Sequence, residues 1–556
     1  MTRSADAGIS DPLHTTGPLT ATFANVNSAE AWGGGVATPL GWTFFATTTE
    51  LGMRRACIDL GALGRSQADP PEDRDQNFLN AFYGRPGSNI AMWRSVFDRI
   101  WGSSGSGYDE AYHAGSGSPE PGGRRRRRSL VPACRFVVTA IRARVMLTRY
   151  RTEVPSWWRA SVLPGSTSTI DEAREKFREA TEVNRRVIRS HAQASWVGQS
   201  LLERLKAKCT AAGYPGLELE LISSDAGVEE QGLIEDLWAV SRGDQSLDDF
   251  LSRWGFHGPV EGELSSRTWR EDPSPLAPII DAYRAKPDED LPSALKGRQR
   301  DARGHAEQKL LAGHSSFEKL KIRVLVRQAR RFIPLRQVGR GTFLKAYDVA
   351  RCMARRMGSQ MVVDGVLEDP DDIFYLTDAE VLGALPDDVA AAVRFRRARR
   401  EYYETLELPE RWTGELTEDM VRVAVPEDSP RADAPEGPER IEGLGVSVGV
   451  VEGRAIIVTR PDAAYDLSPG DVLVCVTTDP SWAAIFFAVA AVVTDVGAQM
   501  SHGAILSREI GIPAVVNTRG ATKRLRTGDR IRVDGTNGVV EVLERASEAD
   551  VAGSST

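Results

Sequence analysis

The sequence lacks any run of apolar residues long enough to cross a membrane. Its longest such run, residues 483–493, is about half the length that a spanning helix requires. The first residues, MTRSADAGISDPLHTTGPL, contain no apolar segment of the kind found in a signal peptide. We therefore expect a cytoplasmic protein with no membrane-bound part.

Cysteine is also scarce, and positive charges do not outnumber negative ones. The 556 residues include only five cysteines, and no two of them have the spacing of metal ligands or of a C-x-x-C motif. Reduced thiols and no bound metal are the expectation. The formal net charge of −7 argues against general nucleic-acid binding.

One segment is strongly basic although the net charge of the chain is negative. Residues 102–129 are rich in Gly, Ser and Pro and end in five consecutive arginines, residues 124–128. Low complexity together with a run of like charge predicts a flexible surface loop. Binding of nucleic acid or phosphate is the less favoured alternative, because no aromatic residues alternate with the arginines.

The length and the hydrophobic content of 41% indicate two or three domains with packed cores. Residues 130–254 show helical periodicity, and Thr169 is a candidate N-cap for a helix with Asp171 and Glu172 in its first turn. Residues 426–440 are rich in Pro, Asp and Glu, which predicts a linker. Most of the chain before this linker is therefore expected to be helical.

The stretch 494–512, TDVGAQMSHGAILSREIGI, is the most informative part of the sequence. It follows a short apolar run that predicts a buried strand, and Ser501 is a candidate N-cap for a helix over 502–510. His502 then lies in the first turn, where free amide groups and the positive helix end favour an anion. It is either a phosphoryl acceptor or a partly buried capping residue.

The whole segment from 443 to 543 resembles the swivelling phosphohistidine domain of the phosphoenolpyruvate-utilising enzymes. That family carries T-D-x-G-G-x-x-S/T-H-x-A-I/V-x-x-R-E-x-G-I-P-A-V-V, and residues 494–516 follow it with Ala498 in place of the second glycine. The run M-S-H-G-A around His502 looks most like the antibiotic-phosphotransferase branch. The resemblance implies that His502 carries a phosphoryl group, with Ser501 and Arg508 orienting it or balancing its charge.

Upstream stretches resemble the substrate-binding domain of the rifampicin-phosphotransferase group. The loop 254–264 is similar to the family's Y-G-H-R-G-x-x-E-x-E/D-L, and His257 and Glu261 are expected to shape the acceptor end or only to close a structural loop. The stretch 371–377 matches D-D-I/V-F-Y/F-L-T and is read as a strand after an acidic turn. Asn25 marks the start of the substrate domain.

Residues 335–340, LRQVGR, resemble the family element L-R-E-x-x-K, whose glutamate and lysine belong to the phosphoryl-acceptor site. Arg336 and Arg340 are expected to hold the arriving phosphoryl group. Gln337 stands where the family has the glutamate and cannot act as a carboxylate base. A solvated basic helix face is the alternative for this segment.

The expected architecture is multidomain, a mainly α-helical substrate-binding domain followed by a small α/β swivelling phosphohistidine domain. The predicted divisions are a disordered tail (1–24), the substrate domain (25–425), the linker (426–440), the phosphohistidine domain (441–545) and a second disordered tail (546–556). The sequence contains neither an ATP-grasp region before Asn25 nor a G-x-x-x-x-G-K-S/T loop. The chain is therefore expected to have no cofactor of its own, and to receive phosphate from ATP and Mg²⁺ through a separate ATP-grasp partner.

The favoured function is transfer of a phosphoryl group through phospho-His502 to a hydroxyl of a small organic molecule, such as a natural product. Dehydration of such a hydroxyl, with or without transient phosphorylation, is a second possibility suggested by Gln337 and Arg340. A non-catalytic phosphocarrier or regulatory subunit is a third.

Overall fold

The computed structural model describes residues 9–25, 35–101, 103–112, 130–163, 169–222, 229–288, 292–423, 439–458, 468–478, 482–497 and 501–546. Within these ranges, the side chains of residues 109–112, 130–133, 229–230, 292–300, 302 and 502 are outside the description. The predicted linker 426–440 and tail 546–556 fall almost wholly outside the described residues. The predicted division into domains stays a prediction.

Helices dominate the part of the chain before residue 405. They are α1 (Pro39–Leu60), α2 (Ile90–Arg99), α3 (Gly105–Tyr112), α4 (Leu130–Val162), α5 (Ile170–Ala211), α6 (Leu217–Ile222), α7 (Glu229–Arg242), α8 (Leu247–Trp254), α9 (Leu276–Ala285), α10 (Pro292–Leu311), α11 (Ser316–Val363), α12 (Asp378–Leu382) and α13 (Val389–Glu404). None of the described helices is long and apolar enough to cross a membrane.

The long helices α5 and α11 pack along each other and form the centre of this helical part. Helix α5 begins as predicted: the Thr169 side chain accepts a hydrogen bond from the amide of Glu172, and the Glu172 carboxylate accepts one from the amide of Thr169. This reciprocal cap satisfies two amide groups that a helix start leaves without partners. Helix α1 packs against α5, and α4 packs against both α5 and α11.

Short strands close one end of the helical part. The strands β1 (Thr22–Ala24), β2 (Leu79–Phe82), β3 (Arg85–Asn89) and β5 (Arg411–Thr413) form a sheet in the order β2-β3-β1-β5, and β4 (Leu406–Glu407) pairs with β6 (Arg422–Val423). The prediction of a disordered tail over 1–24 is wrong for residues 9–24. Leu13 is fully buried there, and β1 pairs on both sides.

Two further sequence interpretations are corrected. Within the predicted flexible loop 102–129, residues 105–112 form α3, and Tyr108 is buried against Trp93 and Phe97; residues 113–129 are outside the described part. The predicted strand over 371–377 is instead a 3₁₀ helix, Pro370–Tyr375. The side chain of Asp369 caps this helix, which local hydrogen bonding by short polar side chains favours over a strand.

The C-terminal part is an α/β unit. Its strands are β7 (Arg440–Glu442), β8 (Leu444–Ser447), β9 (Val450–Val458), β10 (Val472–Cys475), β11 (Ala491–Thr494), β12 (Ala514–Val516), β13 (Arg530–Asp534) and β14 (Val539–Glu544), and its helices are α14 (Ala483–Ala488), α15 (His502–Ile510) and α16 (Ala521–Arg524). The sheet order is β7-β14-β13-β9-β10-β11-β12-β8, with β9 to β12 parallel. A mainly helical part followed by an α/β sheet region agrees with the expected fold class.

A buried carboxylate joins α11 to the loop that follows α8. Asp348 is fully buried, and it accepts hydrogen bonds from Trp158 Nε1 at 2.7 Å and from the guanidinium of Arg270 at 3.0 and 3.2 Å. One turn on, Arg351 donates to the carbonyls of Glu263 and Leu264 at 2.8 and 3.2 Å. These contacts fix the loop 255–273 on the surface of α11.

We expect Asp348→Ala to lower the free energy of unfolding by about 3–5 kcal/mol, because Arg270 and Arg351 would lose a buried counter-charge. Chemical denaturation measures this change. The matched control is Asp281→Ala, which removes an exposed ion pair with Arg284 and should cost under about 1 kcal/mol. Similar small losses in both variants would contradict the proposed anchoring role of Asp348.

Candidate functional site

A cavity of about 170 Å³ lies among α1, α5 and α11, with walls that are mostly apolar. Its aromatic lining consists of Phe45, Trp93, Phe97, Tyr108, Trp196, Phe343 and Tyr347. Ile505, from the helix that begins at His502, also contributes to the wall. The cavity therefore receives side chains from both the helical part and the α/β part.

The predicted basic element of α11 lies on this cavity. Arg336, Gln337 and Arg340 all line it. Arg336 and Arg340, at i and i+4, share one face of the helix, and Gln337 lies beside them. Arg340 Nη2 lies 3.5 Å from Glu261 Oε2, so the helix and the loop are also joined by an ion pair. These three residues are half-buried at the cavity and do not form a fully solvated basic face.

The predicted loop residues lie behind the cavity. His257 Nδ1 and Glu261 Oε1 form a close hydrogen bond, and both residues are buried. The imidazole packs among Trp254, Phe256 and Trp269. From this loop Gly262 lines the cavity, whereas the Glu261 carboxylate meets Arg340 behind it. A direct substrate role for His257 and Glu261 stays a prediction.

Helix α15 has the predicted bounds. Ser501 caps it, with the side-chain oxygen 3.4 Å from the amide of Ala504, and Gly511 ends it in the left-handed conformation. His502 is therefore its first residue. Arg508 Nη1 donates to the carbonyl of Val446 at 3.1 Å, which holds the last turn of the helix on β8. The phosphoryl-binding roles of Ser501 and Arg508 stay predictions.

The structure adds one residue that the sequence reasoning missed. His191, on α5, lines the cavity, and its Nδ1 lies 3.1 Å from the backbone oxygen of Arg336. The ring meets Phe343 edge-on at 5.5 Å. Nothing in the local sequence resembles a motif here. The sequence could have indicated this residue only by its position: His191 is a titratable residue three positions after Ile188, on the face of α5 that turns inward.

Close approach of the two helices at His191 depends on Gly339. A Cβ atom at position 339 would lie 2.6 Å from Nδ1 of His191 and 2.9 Å from its Cβ. Glycine therefore lets α11 approach the imidazole. Burial, followed by the charges of Arg336 and Arg340, lowers the pKa of His191 to about 3, so the ring is neutral near pH 7.

A second, smaller cavity of about 40 Å³ adjoins the first and shares Arg336, Gln337 and Ile505 with it. Glu509, on α15, lines this space. Burial raises the pKa of Glu509 to about 7, although the neighbouring Arg508 acts in the opposite direction. Burial also lowers the pKa of Arg508 to about 10. The contact between α15 and the helical part therefore contains a carboxyl group that titrates near neutral pH.

Possible metal ligands in the part of the chain that the structure describes are its His, Cys, Asp and Glu side chains. No group of three or more His, Cys, Asp or Glu side chains is arranged there to hold a metal ion. The polar side chains on the first cavity include two guanidinium groups, one amide, one imidazole and the hydroxyls of Thr49, Ser88 and Ser195.

Two segments match models of known protein families. Residues 467–538 match the mobile domain of PEP-utilising enzymes, and residues 210–337 match the fourth domain of rifampicin phosphotransferase. Residues 467–538 are thus similar to that mobile domain, and the resemblance predicted from the sequence is confirmed. The first match contains all of α15, and the second ends at Gln337.

Individual relatives are similar over more than half of the chain. A rifampicin phosphotransferase of a Streptomyces species is 33% identical in an alignment of 423 residues that covers 66% of this chain and 46% of that relative. One from Bacillus subtilis is 30% identical in an alignment of 338 residues that covers 58% of this chain and 38% of the relative. An uncharacterised protein of Mycobacterium tuberculosis is 33% identical over 299 residues, or 54% and 31%. The chain spans less than half the length of each of these relatives.

The raised pKa of Glu509 predicts a pH-dependent stability. Between its ordinary pKa of 4.5 and about 7, the folded state binds more protons than the unfolded chain, so stability falls as pH rises through this window. Glu509→Gln removes this term. Relative to the unmodified protein, the variant should therefore gain on the order of 1–3 kcal/mol between pH 4.5 and pH 8.

Denaturant unfolding at both pH values measures this difference. The exposed residue Glu401 provides the control, because Glu401→Gln should keep the pH dependence of the unmodified protein. Parallel pH profiles for Glu509→Gln and the unmodified protein would show that the carboxyl does not titrate in this window.

Proposed function

We propose that this chain moves a phosphoryl group through the imidazole of His502 to a hydroxyl group of a small, largely apolar organic molecule bound in the first cavity. One observation carries the proposal. The helix that begins at His502 contributes Ile505 to the wall of a cavity that also presents Arg336 and Arg340. Positions three apart adjoin on a helix surface, so the first turn of α15 is close to that wall.

The two arginines supply the charge that such a transfer needs. A transferring phosphoryl group spreads negative charge over three oxygens, and positioning and neutralisation provide most of the catalysis. Guanidinium groups can donate two parallel hydrogen bonds to those oxygens. Glu261 stabilises Arg340 from behind, and Asp348 and Arg351 fix the loop that carries Glu261.

The start of α15 supports a negative charge on the first residue. The first amide groups of a helix have no partners within the helix, and the helix dipole is positive at that end. Ser501 accepts from only one of those amides, that of Ala504. A phosphorylated imidazole at position 502 would therefore lie in a favourable electrostatic environment. Ser501 and Arg508 are proposed to orient it.

The side chains that line the cavity favour an apolar acceptor molecule. Aromatic side chains are prominent in the lining, and the volume of about 170 Å³ is comparable to that of a protein cavity of about 150 Å³ that takes one benzene ring. A ring or branched apolar segment with a hydroxyl fits this space, and the rest of a larger molecule would extend outside it. The names of two relatives agree with a natural-product acceptor.

The phosphoryl donor is proposed to be ATP with Mg²⁺, bound by an ATP-grasp region that lies outside these 556 residues on a separate partner. Neither ATP nor Mg²⁺ is assigned to residues of this chain. His502 would receive the phosphoryl group at the partner and deliver it at the cavity.

We expect His502→Ala to fold normally and to lose all phosphoryl loading and acceptor turnover. The imidazole is the only nucleophile in the proposed route. Loading is measured by intact mass after treatment with phosphoramidate, a small donor that phosphorylates imidazole. Turnover is measured with rifampicin as the probe acceptor. The exposed His314 provides the control, because His314→Ala should behave as the unmodified protein.

Other outcomes separate the alternative functions. Near-normal turnover by folded His502→Ala would exclude the phosphohistidine route. Release of inorganic phosphate together with an alkene product would identify a dehydratase. Stable loading without transfer to any acceptor would identify a phosphocarrier.

We further expect label from ATP to appear on the purified chain only when a nucleotide-binding partner of the ATP-grasp type is added. The physical reason is that phosphate binding in nucleotide sites relies on clustered backbone amides and a metal ion, which the proposal assigns to the partner. Autoradiography with ATP labelled at the β- or γ-phosphate measures the transfer. Labelling of the chain alone would refute the partner proposal without affecting the role of His502.

A further inference from the structure

We propose that His191 is a catalytic residue of this site, and that its Nε2 atom accepts the proton of the acceptor hydroxyl during phosphoryl transfer. This inference rests on the proposed function. It addresses a gap in the site, because neither the amide of Gln337 nor the guanidinium groups of Arg336 and Arg340 on the cavity wall can take up a proton.

The tautomer of His191 follows from its partner. Nδ1 lies 3.1 Å from the backbone oxygen of Arg336, and a carbonyl oxygen can only accept. Nδ1 therefore carries the hydrogen, and the lone pair of a neutral ring is on Nε2. The contact also fixes the ring plane, since Gly339 allows α11 to press against the imidazole and Phe343 meets its face edge-on.

The surroundings keep the ring neutral and available. Arg336 and Arg340 are the charged groups that act on it most strongly, and with burial they lower its pKa to about 3. In the unloaded protein the imidazole is therefore unprotonated throughout the physiological range. Arrival of a doubly negative phosphoryl group between the arginines would offset their charge. The basicity of His191 would then rise at the moment when the hydroxyl proton must leave.

The reaction balances without a further reactant. The acceptor oxygen forms a bond to phosphorus while the bond between phosphorus and the imidazole nitrogen of His502 breaks. The electron pair of that broken bond stays on His502, and the hydroxyl proton moves to Nε2 of His191. Solvent then removes the proton, which restores the neutral ring.

His191→Asn tests the inference, because the asparagine amide nitrogen can replace Nδ1 as the donor to Arg336 while no base replaces Nε2. Protein loaded with phosphoramidate is mixed with rifampicin, and with benzyl alcohol as a small aromatic probe, and loss of the phosphoryl group is followed in a single turnover. We expect unchanged loading and about 10²-fold or more slower transfer. His314→Asn is the matched control, since its Nδ1 lies 3.2 Å from the carbonyl of Ala312 on the exposed surface.

Chemical rescue distinguishes a proton acceptor from a structural residue. His191→Ala leaves space beside the cavity, and added imidazole should restore transfer in this variant but not in His502→Ala. Equal transfer rates for His191→Asn and the unmodified protein would overturn the inference while leaving the proposed function intact. Failure of the unmodified protein to load or to transfer would refute the proposed function, and the role of His191 would fall with it.

A direct reading of the tautomer does not depend on any acceptor. The sequence has seven histidines, so ¹⁵N-histidine labelling gives few resonances, and the signal lost in His191→Asn identifies His191. A neutral ring with hydrogen on Nδ1 from pH 5 to pH 8 supports the inference. A ring protonated on Nε2 at pH 7 would overturn it.

Discussion

The buried carboxylate of Asp348 is the interaction on which the geometry of the site depends. It neutralises Arg270 and receives the indole hydrogen of Trp158, so three separate segments meet at one pair of oxygens. Because unpaired charge is costly in such a place, the three segments can take few alternative positions. The loop after α8 is therefore placed accurately on α11, and Glu261 on that loop meets Arg340 on the helix.

Helix α11 contributes to both parts of the proposed reaction, phosphate binding and proton transfer. Its residues Arg336 and Arg340 line the cavity, and the backbone carbonyl of Arg336 orients His191. Because α5 and α11 pack along each other, the distance between the arginines on α11 and the proposed proton acceptor on α5 varies less than it would on a loop. An amide at Gln337 is then compatible with the proposed catalysis, because another helix can supply the basic group.

The sequence predicted those features whose causes are local. The start of α5 at Thr169 and both ends of α15 depend on caps and on glycine, and these were correct. The 3₁₀ helix Pro370–Tyr375 was mistaken for a strand because an apolar run follows two acidic residues, while the cap at Asp369 decided the conformation. Helix caps and glycine stops can be recognised from the sequence because they depend on residues that are close together along the chain.

Features that depend on distant contacts were not predicted. Strand β1 exists because β3 and β5 pair with it on either side, and β5 lies almost four hundred residues away in the sequence. His191 gained its significance from Arg336 and Gly339, which are on another helix. Likewise, the contact of Glu261 with Arg340 was not visible, although both residues were singled out. Burial and long-range pairing supply this information, and no local pattern contains it.

The place of Ile505 in the cavity wall has a thermodynamic consequence. A ligand that touches this side chain binds more tightly when α15 is docked than when it is displaced. By linkage, the same ligand must then favour the docked position of α15 by an equal factor. Acceptor binding and delivery of the first turn of α15 would thus be reciprocally coupled equilibria, and an empty cavity would hold that helix less firmly than a filled one.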